Sequence, residues 1–268
     1  MSYCNYVALS HGRTGSTILT RMLRAHSRIV DYQELFNVDY QAEFRRSSDR
    51  ARSLRYWLDT VDRRKLRGPA PAADLASVDE AAILDVLVWR DGYAPDVRAV
   101  GFKLLHYQMK HDGHFPRLRD RLAERLPHVR AVVLTRRNLL RQHLSHVTAH
   151  RVGQWHIADG SQRRPRPVVR FTPQELVHAF EYVERTESDL SAMAAAAHRR
   201  LDLVYEDLTR DFEGCWRRLQ RFLDAPEEPL PDLRLVKIEH RTLREAIANY
   251  DELAERFRDT RWAGCFDE

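Results

Sequence analysis

The chain has 268 residues, 43 % of them hydrophobic and 31 % charged, enough to bury the core of one α/β domain. No run approaches a membrane span, no Gly/Ser-rich linker or internal repeat divides the chain, and residues 1–268 are expected to form a single domain. The net charge of +5 permits an anionic ligand without demanding nucleic acid, because the arginines are spread along the chain and interleaved with acids. Only Lys65, Lys103, Lys110 and Lys237 are lysine, a bias that fits genomic base composition. Cys4, Cys215 and Cys265 are too far apart in sequence for a disulfide framework or a zinc motif. Met1–Cys4 runs straight into an apolar stretch and leaves no room for a secretory signal, so a reducing cytoplasm is the expected compartment. Oligomeric state stays open.

Tyr6–Leu9 is a continuous apolar run of the kind that forms a doubly buried parallel strand. From Thr17, the spacing of Ile18, Leu19, Met22 and Leu23 predicts an amphipathic helix. A connector over 28–37 leads to a charged helical region at 39–67, broken by Gly68–Ala72, and then to a helix at 78–90. Val100–Leu105 and the β-branched Arg130–Thr135 read as strands, with a helix over 115–126 between them. Asn138 is a good cap for the next helix. Residues 157–170, polar and rich in Pro and Arg, read as a mobile loop on the acceptor side. A helix over 173–199, a strand over 201–205 and helices over 211–223 and 242–257 complete the chain. Strands separated by helices imply a three-layer α/β/α fold with a central parallel sheet, whose ligands bind at the carboxyl ends of the strands.

Two of those strand ends carry anion-binding patterns. Residues 10–17 read Ser-His-Gly-Arg-Thr-Gly-Ser-Thr between strand and helix. Gly12 and Gly15 permit a tight turn whose N–H groups face an anion at a positive helix end. A nucleoside triphosphatase would continue Gly-Lys-Ser/Thr; here Arg13 stands inside the turn and no such lysine follows, so a phosphate that needs no metal is expected. At the second end, Ser145 lies seven residues past Asn138, on nearly the same helix face, within reach of an anion also held by Arg137. Taken alone, that pair reads first as a surface ion pair at Arg137 and a packing residue at Ser145.

Together, the Arg-Thr-Gly-Ser-Thr turn and the Arg, seven residues, Ser pattern resemble the sulfotransferase family, whose donor is 3′-phosphoadenosine 5′-phosphosulfate. Tyr205-Glu206-Asp207-Leu208 matches a further family signature. The likeness is closest to bacterial carbohydrate sulfotransferases of the trehalose 2-sulfotransferase and nodulation-factor type, in which an acidic loop follows the donor loop. Here that loop reads Tyr32-Gln33-Glu34-Leu35-Phe36. The segment Arg137–His156 and Ile247–Tyr250 look like the same branch, so the resemblance spans nearly the whole chain. Animal and plant cytosolic members carry lysine in the first loop and a histidine base; Arg13 departs from them.

The resemblance implies a P-loop-like sulfotransferase fold and assigns roles. Arg13, Thr14, Gly15, Ser16 and Thr17 would hold the 5′-phosphosulfate, Arg137 and Ser145 the 3′-phosphate, and Tyr205 would lie near the adenine. Arg13 and Lys103 would stabilise the leaving group and the sulfuryl oxygens. Glu34 is the candidate base for an acceptor hydroxyl, with Asp31 and His106 as alternatives. Trp155 and His156 are candidates for the acceptor site, and Lys237 or Arg241 for closure over the nucleotide. The acceptor implied is a carbohydrate, glycolipid or other small metabolite. A small-molecule kinase on a phosphate-loop fold and a non-catalytic nucleotide-binding protein are the competing readings.

Overall fold

The computed structural model describes residues 3–38, 50–67, 74–110, 114–155, 164–233 and 241–267. Strands β1 (Cys4–Ser10), β2 (Ile29–Asp31), β3 (Ala99–Leu105), β4 (Arg130–Thr135) and β5 (Arg199–Val204) form one parallel sheet in the order β2-β3-β1-β4-β5. β1 therefore lies between β3 and β4, and the chain crosses over in opposite directions on its two sides. A crevice opens at the carboxyl ends of strands at such a reversal. Ser10 pairs with Leu105 on one side and Leu134 on the other, which brings the three strand ends level.

Alternation along β1 assigns its side chains to two cores. Val7 and Leu9 pack with Phe102, Val133, Phe36, Trp57 and Phe115 on one face. Tyr6 and Ala8 pack with Leu134, α1 (Ser16–Ala25) and Trp216 of α8 (Phe212–Phe222) on the other. A third cluster joins α5 (Leu139–Val152) and α6 (Pro173–Ala194) to α9 (Leu243–Ala246) and α10 (Tyr250–Phe257) through Phe180, Phe257 and Trp262.

The remaining elements differ in extent from the sequence expectation. β2 was read as connector, because three residues are too few to show a period; it pairs with β3, and Ile29 and Val30 pack into the cores on the two faces of the sheet. The region read as helix over 39–67 contains α2 (Arg50–Asp59), with 39–49 outside the described residues. The helix expected over 78–90 begins as α3 (Glu80–Ala82) and widens into a π turn over Ile83–Val88. α4 is confined to Leu118–Ala123. α6 ends at Ala194, five residues before β5, and Tyr205 opens the short α7 (Tyr205–Arg210) instead of closing the strand. Of the loop expected at 157–170, residues 157–163 lie outside the described part, as do His156 and Lys237.

Candidate active site

The turn between β1 and α1 is built from left-handed backbone. Arg13 has φ 66° and Gly15 has φ 84°. The Thr14 hydroxyl ties the turn by donating to the His11 carbonyl at 3.0 Å. A Cβ on Gly15 would lie 2.4 Å from Cδ2 of Tyr205, so glycine is required both for the backbone and for the ring packed on it. The other side of that ring meets Arg136, whose guanidinium carbon sits 4.4 Å from the ring centre. Arg136 Nη1 also donates to the Arg13 carbonyl at 3.1 Å. Gln142 of α5 supports the turn from a third direction, donating to the Gly12 carbonyl at 2.8 Å.

The Arg13 side chain is half-buried and hydrogen-bonded to neutral groups. Nε and Nη2 donate to Ser145 Oγ at 3.0 and 2.9 Å, and Nη1 to the Trp155 carbonyl at 2.8 Å. Burial, then the neighbouring Arg166 and Arg136 guanidinium groups, lower its pKa to about 10, which leaves it charged at neutral pH. Arg166 is seated beside it, donating to Thr148 Oγ1 at 2.6 Å and to the Gln154 carbonyl at 3.3 Å. Clustered, partly buried guanidinium groups at a helix start are chemically suited to an anion. Among the described residues, no side chain caps α1.

A second group lies on the β3 side of the same turn. Lys103 Nζ stands 2.5 Å from Glu34 Oε1 and 3.4 Å from Ser16 Oγ. Glu34 Oε2 accepts from Asn37 Nδ2 at 2.5 Å, and the Asn37 carbonyl is held by Ser53 and Trp57 of α2. Both charges are buried, with side-chain exposures of 3 % for Lys103 and 8 % for Glu34. Isolated, either would be costly here; paired and hydrogen-bonded, they form a preorganised carboxylate and ammonium against the turn between β1 and α1. Leu35 and Phe36 anchor the loop from below, Phe36 edge-on to Phe102 and Phe115.

The structure thus unites Arg13, Ser145 and Trp155 in one group and Glu34, Lys103 and Ser16 in another, with the turn of Thr14–Thr17 between them. Arg137 stands apart from Ser145: its half-exposed guanidinium pairs with Asp207, while its amide donates to Glu206 at 3.0 Å. His106 is tied through Nε2 to Asp189 at 2.9 Å, and Arg119 grips the same carboxylate. Its Nδ1 is buried, so neither ring nitrogen is open to a substrate proton. Asp31 is enclosed, with Tyr6 Oη and the Gln33 amide on its two oxygens. Arg136, Gln142, Asn37 and Arg166 were not singled out in the sequence. Arg136 is adjacent to an identical residue, and only the sheet register decides which of the two turns inward. Asn37, three residues past Glu34, was within reach of spacing arguments.

Comparison with known proteins gives the family and the fold. The model of the Sulfotransferase family matches residues 7–229, and the chain belongs to that family. Among solved structures, a sulfotransferase from Alicyclobacillus acidocaldarius is similar over 98 % of this chain and 95 % of its own, at 14 % identity and a TM-score of 0.50, a likeness of fold. A search of curated protein sequences returns no match. Among the described residues no group of His, Cys, Asp or Glu is placed to hold a metal ion, and no helix is long and apolar enough to cross a membrane.

Proposed function

We propose that the protein transfers the sulfuryl group of 3′-phosphoadenosine 5′-phosphosulfate to a hydroxyl of a carbohydrate, glycolipid or other small metabolite by in-line displacement. The observation that carries this reading is the Lys103 ammonium, shared between the Glu34 carboxylate and the Ser16 hydroxyl of the phosphate turn. It puts a base and a cation beside the place where a phosphosulfate would be held. The half-buried Arg13 guanidinium and the start of α1, which no side chain caps, fit the 5′ end of that donor. Bound there, the donor supplies an activated sulfuryl group whose leaving group is a phosphate oxygen.

The chain's own groups then divide the work. Arg13 and the amides of Thr14–Thr17 neutralise charge growing on the leaving oxygen. Lys103 orients the sulfuryl oxygens and keeps Glu34 in place until an acceptor arrives. Glu34 accepts the acceptor's hydroxyl proton at a carboxylate oxygen. Arg137, released from Asp207, joins Ser145 on the 3′-phosphate, and a charge-assisted contact of this kind contributes roughly 1.5–3 kcal/mol. Tyr205, packed on Gly15, lies on the nucleotide side. Trp155 offers an aromatic face to the acceptor, and the sequence adds His156 to that side and Lys237 to the nucleotide. The compartment proposed is the cytoplasm.

The test is binding and turnover in Glu34→Gln. Adenosine 3′,5′-bisphosphate should raise the Tm of both wild type and variant, while ATP with magnesium should not. Release of that bisphosphate from the donor, with water and with a panel of sugars, should fall at least about 100-fold in the variant. Stabilisation by ATP with magnesium alone would overturn the donor, and near-normal turnover would remove Glu34 as base.

A further inference from the structure

The loop that delivers Glu34 is held by an arrangement that none of the assigned roles explains. Asp31, Gly101 and Tyr6 form one row across β2, β3 and β1. Tyr6 leans over Gly101, where a Cβ would lie 2.1 Å from the Tyr6 carbonyl oxygen and 2.6 Å from its ring, and its hydroxyl reaches Asp31 Oδ2 at 2.7 Å. Asp31 Oδ1 accepts the Gln33 amide at 2.8 Å, closing a turn two residues on. Gln33 itself adopts φ 55°, a left-handed backbone that few residues other than glycine and asparagine take readily. Its carbonyl accepts the Lys103 amide at 2.7 Å, and the Tyr32 amide donates to Gly101 at 2.9 Å. Both peptide groups of Gln33 are therefore fixed, one by a buried carboxylate and one by the residue whose side chain meets Glu34.

We propose that Gln33 is a positioning residue for Glu34: its left-handed turn, held between Asp31 and the Lys103 backbone, swings the next side chain out of the strand direction and onto the Lys103 ammonium. This rests on Glu34 being the base. Continued as extended strand, the chain would alternate faces and carry residue 34 along β3. Backbone kept in a sparsely populated region by surrounding bonds is a recurring property of sites that need a fixed geometry. The same residue that supplies the ammonium also pins the turn, so the distance between base and cation is set within one short hydrogen-bonded ring.

Three substitutions separate backbone from side chain. Gln33→Gly and Gln33→Asn accept a positive φ; Gln33→Val resists it. Glycine and valine both remove the Gln33 Nε2 bond to Thr60 Oγ1, so their difference reports the backbone alone. With donor and water or sugars as substrates, Gln33→Val should lower kcat for bisphosphate release about 10–100-fold with donor KM unchanged, the scale expected of an ångström-level displacement. Glycine and asparagine should stay within about threefold of wild type. Valine matching glycine, or all three falling in step with their melting temperatures, would overturn the proposal. A crystal structure of Gln33→Val decides it independently of turnover: Glu34 should leave Lys103, and an unbroken pair would refute the positioning. Glu34→Gln run in parallel isolates the other failure, since wild-type turnover there removes the base assignment and leaves the crystallographic outcome standing.

Discussion

Asp31 carries its charge where the fold least favours it. Burial raises its carboxyl pKa to about 6, against smaller lowering contributions from Tyr6, the Gln33 amide, Lys103 and Arg24. A folded pKa above the unfolded value near 3.9 means that the favourable contribution is complete below about pH 4 and is lost as pH rises through 6. Roughly two pKa units correspond to about 3 kcal/mol of stability forgone at pH 8. Asp31→Asn removes the charge while keeping an acceptor for Gln33. It should unfold at higher urea concentration than wild type at pH 8, by up to about 3 kcal/mol, with the gap narrowing between pH 6 and pH 4. Equilibrium urea melts at the two pH values check this, and a variant less stable at pH 8 would contradict it. His146 illustrates the opposite sign: burial, then His143, His11, Arg13 and His150, bring its pKa down to about 4, so it stays neutral beside Trp155 at physiological pH.

At the level of elements, the start of α1 depends on a side chain supplied by α7. Gly15 is the N-cap, with φ 84°, and Tyr205 fills the space where its Cβ would be. Gly15→Ala meets two separate penalties, a left-handed backbone costing roughly 1–2 kcal/mol and a collision with a ring that Arg136 holds in place. The expected outcome is a destabilisation of about 2–4 kcal/mol and loss of bisphosphate binding, measured by urea melts and calorimetry. Adding Tyr205→Ala removes the collision and leaves the backbone cost, so the double variant should recover stability in part. The sequence reading carried Gly15 as a turn residue and Tyr205 as a nucleotide neighbour. Their contact was not legible, because 190 positions separate them and only the register of β4 on β5 brings α7 over the turn.

Across the whole molecule, the two helices that meet at the Arg13–Ser145 contact stand on different foundations. α1 rests on the sheet and α8, whereas α5, which carries Ser145, rests on α6, α9 and α10. Phe180 is fully buried at the centre of that second body, with Phe257 and Trp262 at 5.9 and 5.6 Å between ring centres. Phe180→Ala should cost about 3–5 kcal/mol and lower Tm by roughly 10 °C in differential scanning calorimetry. Because the loss falls on the support of α5, the Arg13–Ser145 contact should loosen with it. A variant that melts like wild type would show that the C-terminal helices do not brace the site.

Local pattern carried much of this protein into view. The apolar runs of β1, β3 and β4, the glycines and arginine of the turn before α1, the cap at Asn138 and the order of motifs all depend on neighbours in the chain, and periodicity and turn chemistry report them directly. Tertiary structure decided the rest: the strand β2, the inward turn of Arg136 rather than Arg137, the enclosure of Asp31, and the meeting of Glu34 with Lys103. Each of these is a contact between residues remote in sequence, and its existence depends on which strand pairs with which and in what register. One residue of slip in β2 against β3 would turn Asp31 to the other face of the sheet, a choice that composition and spacing leave undetermined.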